Sequence, residues 1–302
     1  MATKNFTKSI ASAWIISLAM ALVGCSAEST ENAFAKEVEP ETKATEVPFS
    51  IVIKALSDGK DVTTKAGDKT TTLFIFDENY DFVNKVNVSN STIKNRREVE
   101  FDVPGSNRVT VIAWSGLNND NEVVSSLSQA NIIQDLQVSL KANNGFANNP
   151  SDLFYGQTTV NRSQTKAEAT ELVVARKTAT LSLRAMGIDS SEGEFIFIVK
   201  QAKSGFAYNG ELAGEEVTYV IPARVTPNGN IVTDLVPVLA TSDIDVELHK
   251  DGEIVFSAKN VKNSENVSLS EGKHVNLTFD MSKTAMNVYT SDWGVEPTII
   301  AM

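Results

Sequence analysis

The sequence predicts an all-β protein built as two β-sandwich domains in tandem, on three observations. From Val47 onward apolar residues recur with period two, and helical stretches are few. Val, Thr, Ser and Asn are abundant, which favours strands joined by polar turns. The strand-like runs are short and recur every ~8–15 residues between turn signals, the spacing of sandwiches.

Before that pattern starts, the chain carries an address. Lys4 and Lys8 precede an almost wholly apolar run from Ile10 to Leu22. The run has the length of a signal-peptide core and is too short for a comfortable membrane span. It ends Leu22-Val23-Gly24-Cys25, which resembles a bacterial lipobox: small residues precede the cut, and the thiol takes a diacylglyceryl chain. Cys25 is the only cysteine in the sequence. Residues 1–24 are therefore expected to be a lipoprotein signal peptide, with Cys25 the lipidation site. Residues 25–46 are rich in Glu, Thr, Ala and Lys. They cannot bury enough surface to offset chain entropy and read as a flexible, acidic tether.

The strands follow in order. Val47, Phe49, Ile51, Ile53 and Ala55 alternate with Pro48, Ser50, Val52 and Lys54, the mark of a half-buried strand. A turn, Ser57-Asp58-Gly59-Lys60, comes next. TTTLFIF (70–76) and the run 82–88 form a hairpin around Asp77–Asp81, a segment that faintly resembles a calcium loop but lacks its Gly and distal Glu. Strands at 98–103 and 108–114 flank Pro104-Gly105-Ser106-Asn107. An Asn- and Gly-rich stretch contains one short helix or strand, 132–140, and Leu153 opens another apolar segment. After a polar run at 161–170, strands are expected at 172–175, 178–185, 194–199, 216–221, 229–238, 244–248, 254–258, 274–280 and 286–293. The boundary between the two domains, 47–168 and 169–302, falls in that polar run.

Composition excludes several function classes. A formal charge of −11 argues against nucleic acid, because phosphate neutralisation needs a basic face. One Cys and two distant His, His249 and His274, make neither a zinc site nor a Cys–His dyad, and both His read as surface turn residues. There is no nucleophile elbow, Walker loop, Rossmann glycine pattern or HExxH. The chain is expected to be no enzyme and to hold no cofactor or metal. Trp114, Trp293, Phe74, Phe76 and Phe154 read as sandwich core.

Several blocks then carry a resemblance. The lipobox and tether are followed by TTTLFIFDENYDFVNKV, VPGSNRVTVIAWSGLNN, DLFYG, VVARKTATLSL and finally VNLTFDMS with MNVYTSDWGV. In this order they resemble the fimbrillin superfamily, the fimbrial subunits of Bacteroidetes. The resemblance implies two transthyretin-like sandwich domains, export as an outer-membrane lipoprotein, and a place on the cell surface in a fimbrium serving adhesion. It also implies polymerisation by protease-assisted strand exchange. An early strand is cut away, and a neighbouring subunit's C-terminal segment replaces it. The implied partners are other fimbrial subunits, a processing protease, and the outer membrane through the Cys25 lipid.

The residues suit that scheme. Val47, Phe49, Ile51 and Ile53 mark the candidate displaced strand, and the polar loop after it carries Lys65, the candidate cut site, with Lys60 and Lys69 as alternates. The family's shaft subunits are cut after Arg, whereas the first Arg here is Arg96. At the other end Tyr289, Trp293, Val295, Ile299 and Ile300 mark a terminal strand that either closes its own sheet or is donated to a neighbour. Shaft, tip and anchor roles all remain open at this stage. A surface lipoprotein that binds glycans or other ligands is the competing reading.

Overall fold

The computed structural model describes residues 46–65, 69–165, 168–189, 192–242, 244–260, 267–293 and 295. The expected signal peptide, Cys25, nearly all of the expected tether, Ile299 and Ile300 lie outside the described residues. What is described is all-β, with two large mixed sheets.

The first sheet contains β1 (Phe49–Ser57), β2 (Thr71–Phe76), β3 (Phe82–Val88), β4 (Arg108–Ser115), β5 (Phe154–Asn161) and β6 (Thr170–Arg176). Their order is β1-β6-β5-β4-β2-β3, and the short strands Lys60–Asp61 and Val99–Phe101 complete the pairing of β1. The second sheet contains β7 (Thr178–Met186), β8 (Phe195–Gln201), β9 (Val217–Val225), β10 (Ile244–Lys250), β11 (Lys273–Asp280) and β12 (Ala285–Asp292). It runs β10-β8-β9, then Ile231–Thr233, then β7-β11-β12.

Each sheet has one parallel pair. β1 lies beside β6, with Ile51 opposite Thr170 and Leu56 opposite Ala175. β7 lies beside β11, with Thr180 opposite His274. All other strand pairs in the two sheets are antiparallel. The run at 172–175, expected to open the second set of strands, thus belongs to the first sheet. A parallel partner more than one hundred residues away leaves no local trace in sequence. The chain changes sheets at Lys177.

Alternation decides which side chains are inside. Phe49, Ile51, Ile53 and Ala55 are 0, 0, 1 and 3% exposed, and they pack with Leu73, Val111, Leu172 and Val174. Val47 precedes the strand and is only half-buried. The other face of β2 and β4 supplies Phe74, Phe76, Ile112 and Trp114 to a core shared with Leu181, Phe197, Tyr219 and Phe279 of the second sheet. A small sheet joins the halves in the order Glu122–Val124, Val138–Leu140, Gly205–Phe206 and Leu212–Ala213. Trp114 packs there against Tyr155 and Phe206, with ring centroids 5.1 and 5.2 Å away. Four of the five expected core aromatics are buried; Trp293 is half-exposed. The 77–81 segment is a turn, in which Asp77 Oδ1 accepts hydrogen bonds from the backbone N–H of Asn79 and Asp81.

Candidate functional site

Two arginines hold the two ends of β1. At its start, Arg162 donates to the carbonyls of Val47, Val103 and Ser106 at 2.5, 2.8 and 2.9 Å. Its guanidinium lies 4.5 Å from the Phe49 ring centroid and 3.1 Å from a Glu46 carboxylate oxygen. At the far end Arg176, the last residue of β6, donates to Ser57 Oγ at 2.6 Å and forms a two-pronged pair with Asp152 at 2.7 and 3.0 Å. Asp152 also pairs with Lys69, whose ammonium burial pushes below the ordinary lysine pKa.

The turn after β1 is tied to the C-terminal hairpin. Asp58 pairs with Lys273 at 2.5 Å, and Lys60 pairs with Asp292, the last residue of β12, also at 2.5 Å. Lys273 reaches Asp292 as well, at 3.1 Å. Hydrogen bonds from Lys60 and then Lys273 hold the Asp292 carboxyl below its usual range, while those to Asp58 and Asp292 hold Lys273 above its own. Asp61 pairs with Arg96 at 2.5 Å. Gly272, at φ +71°, lies so close to this turn that a Cβ would sit 2.9 Å from Ser57 Oγ. Trp293 lies over Arg176, 4.0 Å from its guanidinium. Strand β1 and the C-terminal strand, read separately as candidates for exchange, therefore end against each other in one clasp.

The other candidate residues fall as follows. Lys65 is exposed in the turn at 63–65, and Lys60 is engaged in the clasp. Ahead of Lys65, buried Thr63 accepts a hydrogen bond from the Ala55 N–H at 2.9 Å and so seals the chain against β1. Tyr289 lies in β12 opposite Asn276, and β12 pairs with β11 along its whole length. Val295 is exposed, and its carbonyl lies 3.2 Å from His274 Nδ1. His274 is a correction: it is 2% exposed within β11, where Ser182 Oγ lies 3.1 Å from its Nε2.

Arg162, Arg176, Lys273, Asp58 and Asp292 escaped the sequence reading. One signal was available for Arg176. It follows Leu172 and Val174 at the inward-facing positions of its strand, where a charge needs a partner. Among the described residues there is no group of His, Cys, Asp or Glu placed to hold a metal ion, and no helix long and apolar enough to cross a membrane.

Comparison with known proteins gives one consistent picture. The family model described as fimbrillin-A associated anchor proteins Mfa1 and Mfa2 matches residues 42–297. The major fimbrium anchoring subunit FimB of Porphyromonas gingivalis is 21% identical over 260 residues, 81% of this chain and 85% of that protein. Among solved structures, one described as a candidate polysaccharide-binding protein of Bacteroides thetaiotaomicron aligns with TM-score 0.65 at 16% identity, over 82% of this chain and 97% of that one. The fimbrial anchor protein Mfa2 of Porphyromonas gingivalis aligns with TM-score 0.61 at 10% identity, with the same coverage of both chains.

Proposed function

The chain belongs to the family of fimbrillin-A associated anchor proteins, and from that premise we propose that it is the lipid-anchored base subunit of a cell-surface fimbrium. The observation that carries this reading is the order of parts along the chain. Cys25, the expected lipid site, precedes β1, and the candidate cut at Lys65 follows it. A cut there would sever the lipid from the folded body. A base subunit must therefore keep β1, and the grip of Arg162, Arg176 and the 57–61 turn on that strand favours its retention. With its own first strand in place, the subunit has no vacated groove to receive a neighbour's strand. It meets the next subunit through its C-terminal half. The partners are other fimbrial subunits and the outer membrane, the latter through the diacylglyceryl group on Cys25, and the role is structural.

The experiment is immunogold labelling of cells carrying the wild-type chain or its Cys25→Ser variant. Label at the base of each fimbrium, with fimbriae shed into the medium by the variant, is the expected result. Label along the whole shaft, or fimbriae that stay attached without Cys25, overturns the anchor reading.

One observation favours a shaft role instead. Removing β1 would open a groove lined by an apolar core, and Lys65 stands exposed just beyond it. Large apolar side chains are worth about 1.5–3 kcal/mol each when buried, so Phe49, Ile51 and Ile53 together bound the strand's hold at roughly 5–9 kcal/mol. Limited trypsin treatment of tether-free protein, with a version truncated before Met286 as control, separates the readings. A shaft subunit polymerises only after the cut and only with its C-terminal strand, whereas an anchor stays monomeric in every case.

A further inference from the structure

The outer face of the second sheet carries a row of polar side chains where a sandwich ordinarily meets solvent. The parallel register places Ser182 opposite Asn276 and Arg184 opposite Thr278. The antiparallel register places Val232 between Arg184 on one side and Arg224 on the other. Directly opposite residues share a face, so the two guanidiniums stand on one face, two strands apart, or about 10 Å between strand axes. Ser182, Arg184, Arg224, His274 and Asn276 line a cleft there of about 240 Å³, walled by residues 232–235. Tyr289, opposite Asn276 on β12, extends the same face.

Arg184 is the unusual member. Its side chain makes no hydrogen bond or ion pair with any of the described residues, and its Nε is buried without a partner. A buried guanidinium N–H left unpaired costs the desolvation of a charged donor, and native structures seldom accept that without a use. Among the described residues the Arg224 side chain is held only by an exposed pair with Asp234 on the rim, which contributes little and is easily exchanged. The other polar groups are organised: Asn276 Nδ2 donates to Ser182 Oγ at 2.8 Å, and the same oxygen lies 3.1 Å from His274 Nε2. In a chain of net charge −11 this cleft offers two cationic forks beside hydrogen-bonding groups.

We propose that the cleft over β7 and β11 binds a single carboxylated sugar residue of the hexuronate type. The carboxylate would pair with the Arg184 fork, which presents its N–H groups in the spacing of two carboxylate oxygens. Ser182 and Asn276 would meet ring hydroxyls, and Tyr289 supplies an aromatic surface beside them. The volume is below that of sites for drug-sized ligands and suits one ring. This inference does not depend on the anchor reading, since any surface role could include it.

The test is calorimetric titration of the intact mature chain with glucuronate, glucose and acetate at low salt. Glucuronate should bind at least tenfold more tightly than either comparator, and Arg184→Gln should abolish that preference. Arg184→Lys, which keeps the charge but loses the fork, should fall between. Because Arg184 has no partner to lose, both variants should melt at the wild-type temperature, so lost binding cannot be put down to misfolding. Equal binding of glucose and glucuronate overturns the proposal, as does glucuronate binding that Arg184→Gln leaves intact. Acetate as tight as glucuronate overturns the sugar and assigns the cleft to bare carboxylates such as peptide C-termini. An Arg184→Gln variant that melts well below wild type shows a structural role and overturns it too.

Discussion

The guanidinium of Arg176, the last residue of β6, stacks 4.0 Å from the centroid of the Trp293 ring, which follows the last strand of the second sheet. The same guanidinium holds Ser57 at the end of β1. One side chain thus links the first strand of the first sheet to the C-terminal strand of the second. Loss of Arg176 takes the two-pronged partner from the largely buried Asp152 carboxylate and leaves it to Lys69 and the Thr178 hydroxyl. Arg176→Met should therefore cost about 3 kcal/mol. Trp293→Ala removes the cation–π contact of a half-exposed ring and should cost about 1 kcal/mol. Urea denaturation checks both, and trypsin cleavage between 57 and 65 should accelerate in the same order.

The clasp should weaken in acid. Asp292 has a depressed folded-state pKa, so its contribution is complete above the ordinary carboxylate value, about 4, and is lost as pH falls through the lower folded value. Asp61 behaves alike, held down first by hydrogen bonds from Thr63 and then by Arg96. Lys273 is raised, so its contribution is complete below the ordinary lysine value, about 10.4, and fades only above it. Wild type should accordingly exceed Asp292→Asn in stability at pH 7, and the gap should close below pH ~4. A gap unchanged between pH 3 and pH 7 would show that Asp292 does no electrostatic work.

The local and the long-range parts of this structure differ in how far the sequence reveals them. Phe49, Ile51 and Ile53 announce β1 because alternation is a property of neighbours, and the final hairpin is visible for the same reason. Val47 marks the limit of that method: it keeps the alternation but lies before the strand, where Arg162 takes its carbonyl. The clasp is invisible because Ser57 and Arg176 are 119 positions apart, and Lys60 and Asp292 are 232 apart. No periodicity encodes such pairs. His274 misled because Glu271-Gly272-Lys273 before it reads as a turn. The turn is real, but β11 begins at Lys273 and carries His274 into cover against Ser182.

Thr63 governs access to Lys65. Its hydroxyl accepts the Ala55 N–H, a backbone group of β1 in a fully buried place. Thr63→Val keeps the shape but leaves that N–H without an acceptor, which costs about 1–3 kcal/mol. The loss is local to the segment before Lys65, so trypsin should cut there several-fold faster while the global unfolding midpoint moves less than for Arg176→Met. Mass spectrometry of the first fragment released gives the answer directly.

Gly156, the last residue of the DLFYG block, has a packing reason to be glycine. It lies in β5 opposite Ala113 of β4. A Cβ built on it would meet the Val173 carbonyl oxygen at 2.1 Å and the carbonyl carbon at 2.9 Å. Both atoms are backbone of β6, which cannot rotate aside as a side chain could. β5 pairs with β6 only through Phe154 and Tyr155. The two strands part at Gly156 while their backbones are still in contact, and β6 goes on to hold β1. Pushing β6 away would therefore disturb β1 and the clasp together. Gly156→Ala should cost about 3 kcal/mol, the upper end for overpacking, because the obstruction is main chain. Thr159→Ala, exposed on the same strand, should stay within about 0.5 kcal/mol of wild type. Denaturation of the two variants in parallel tests this. Equal stability would mean that β6 can shift freely, and that β1 is held by its arginines alone.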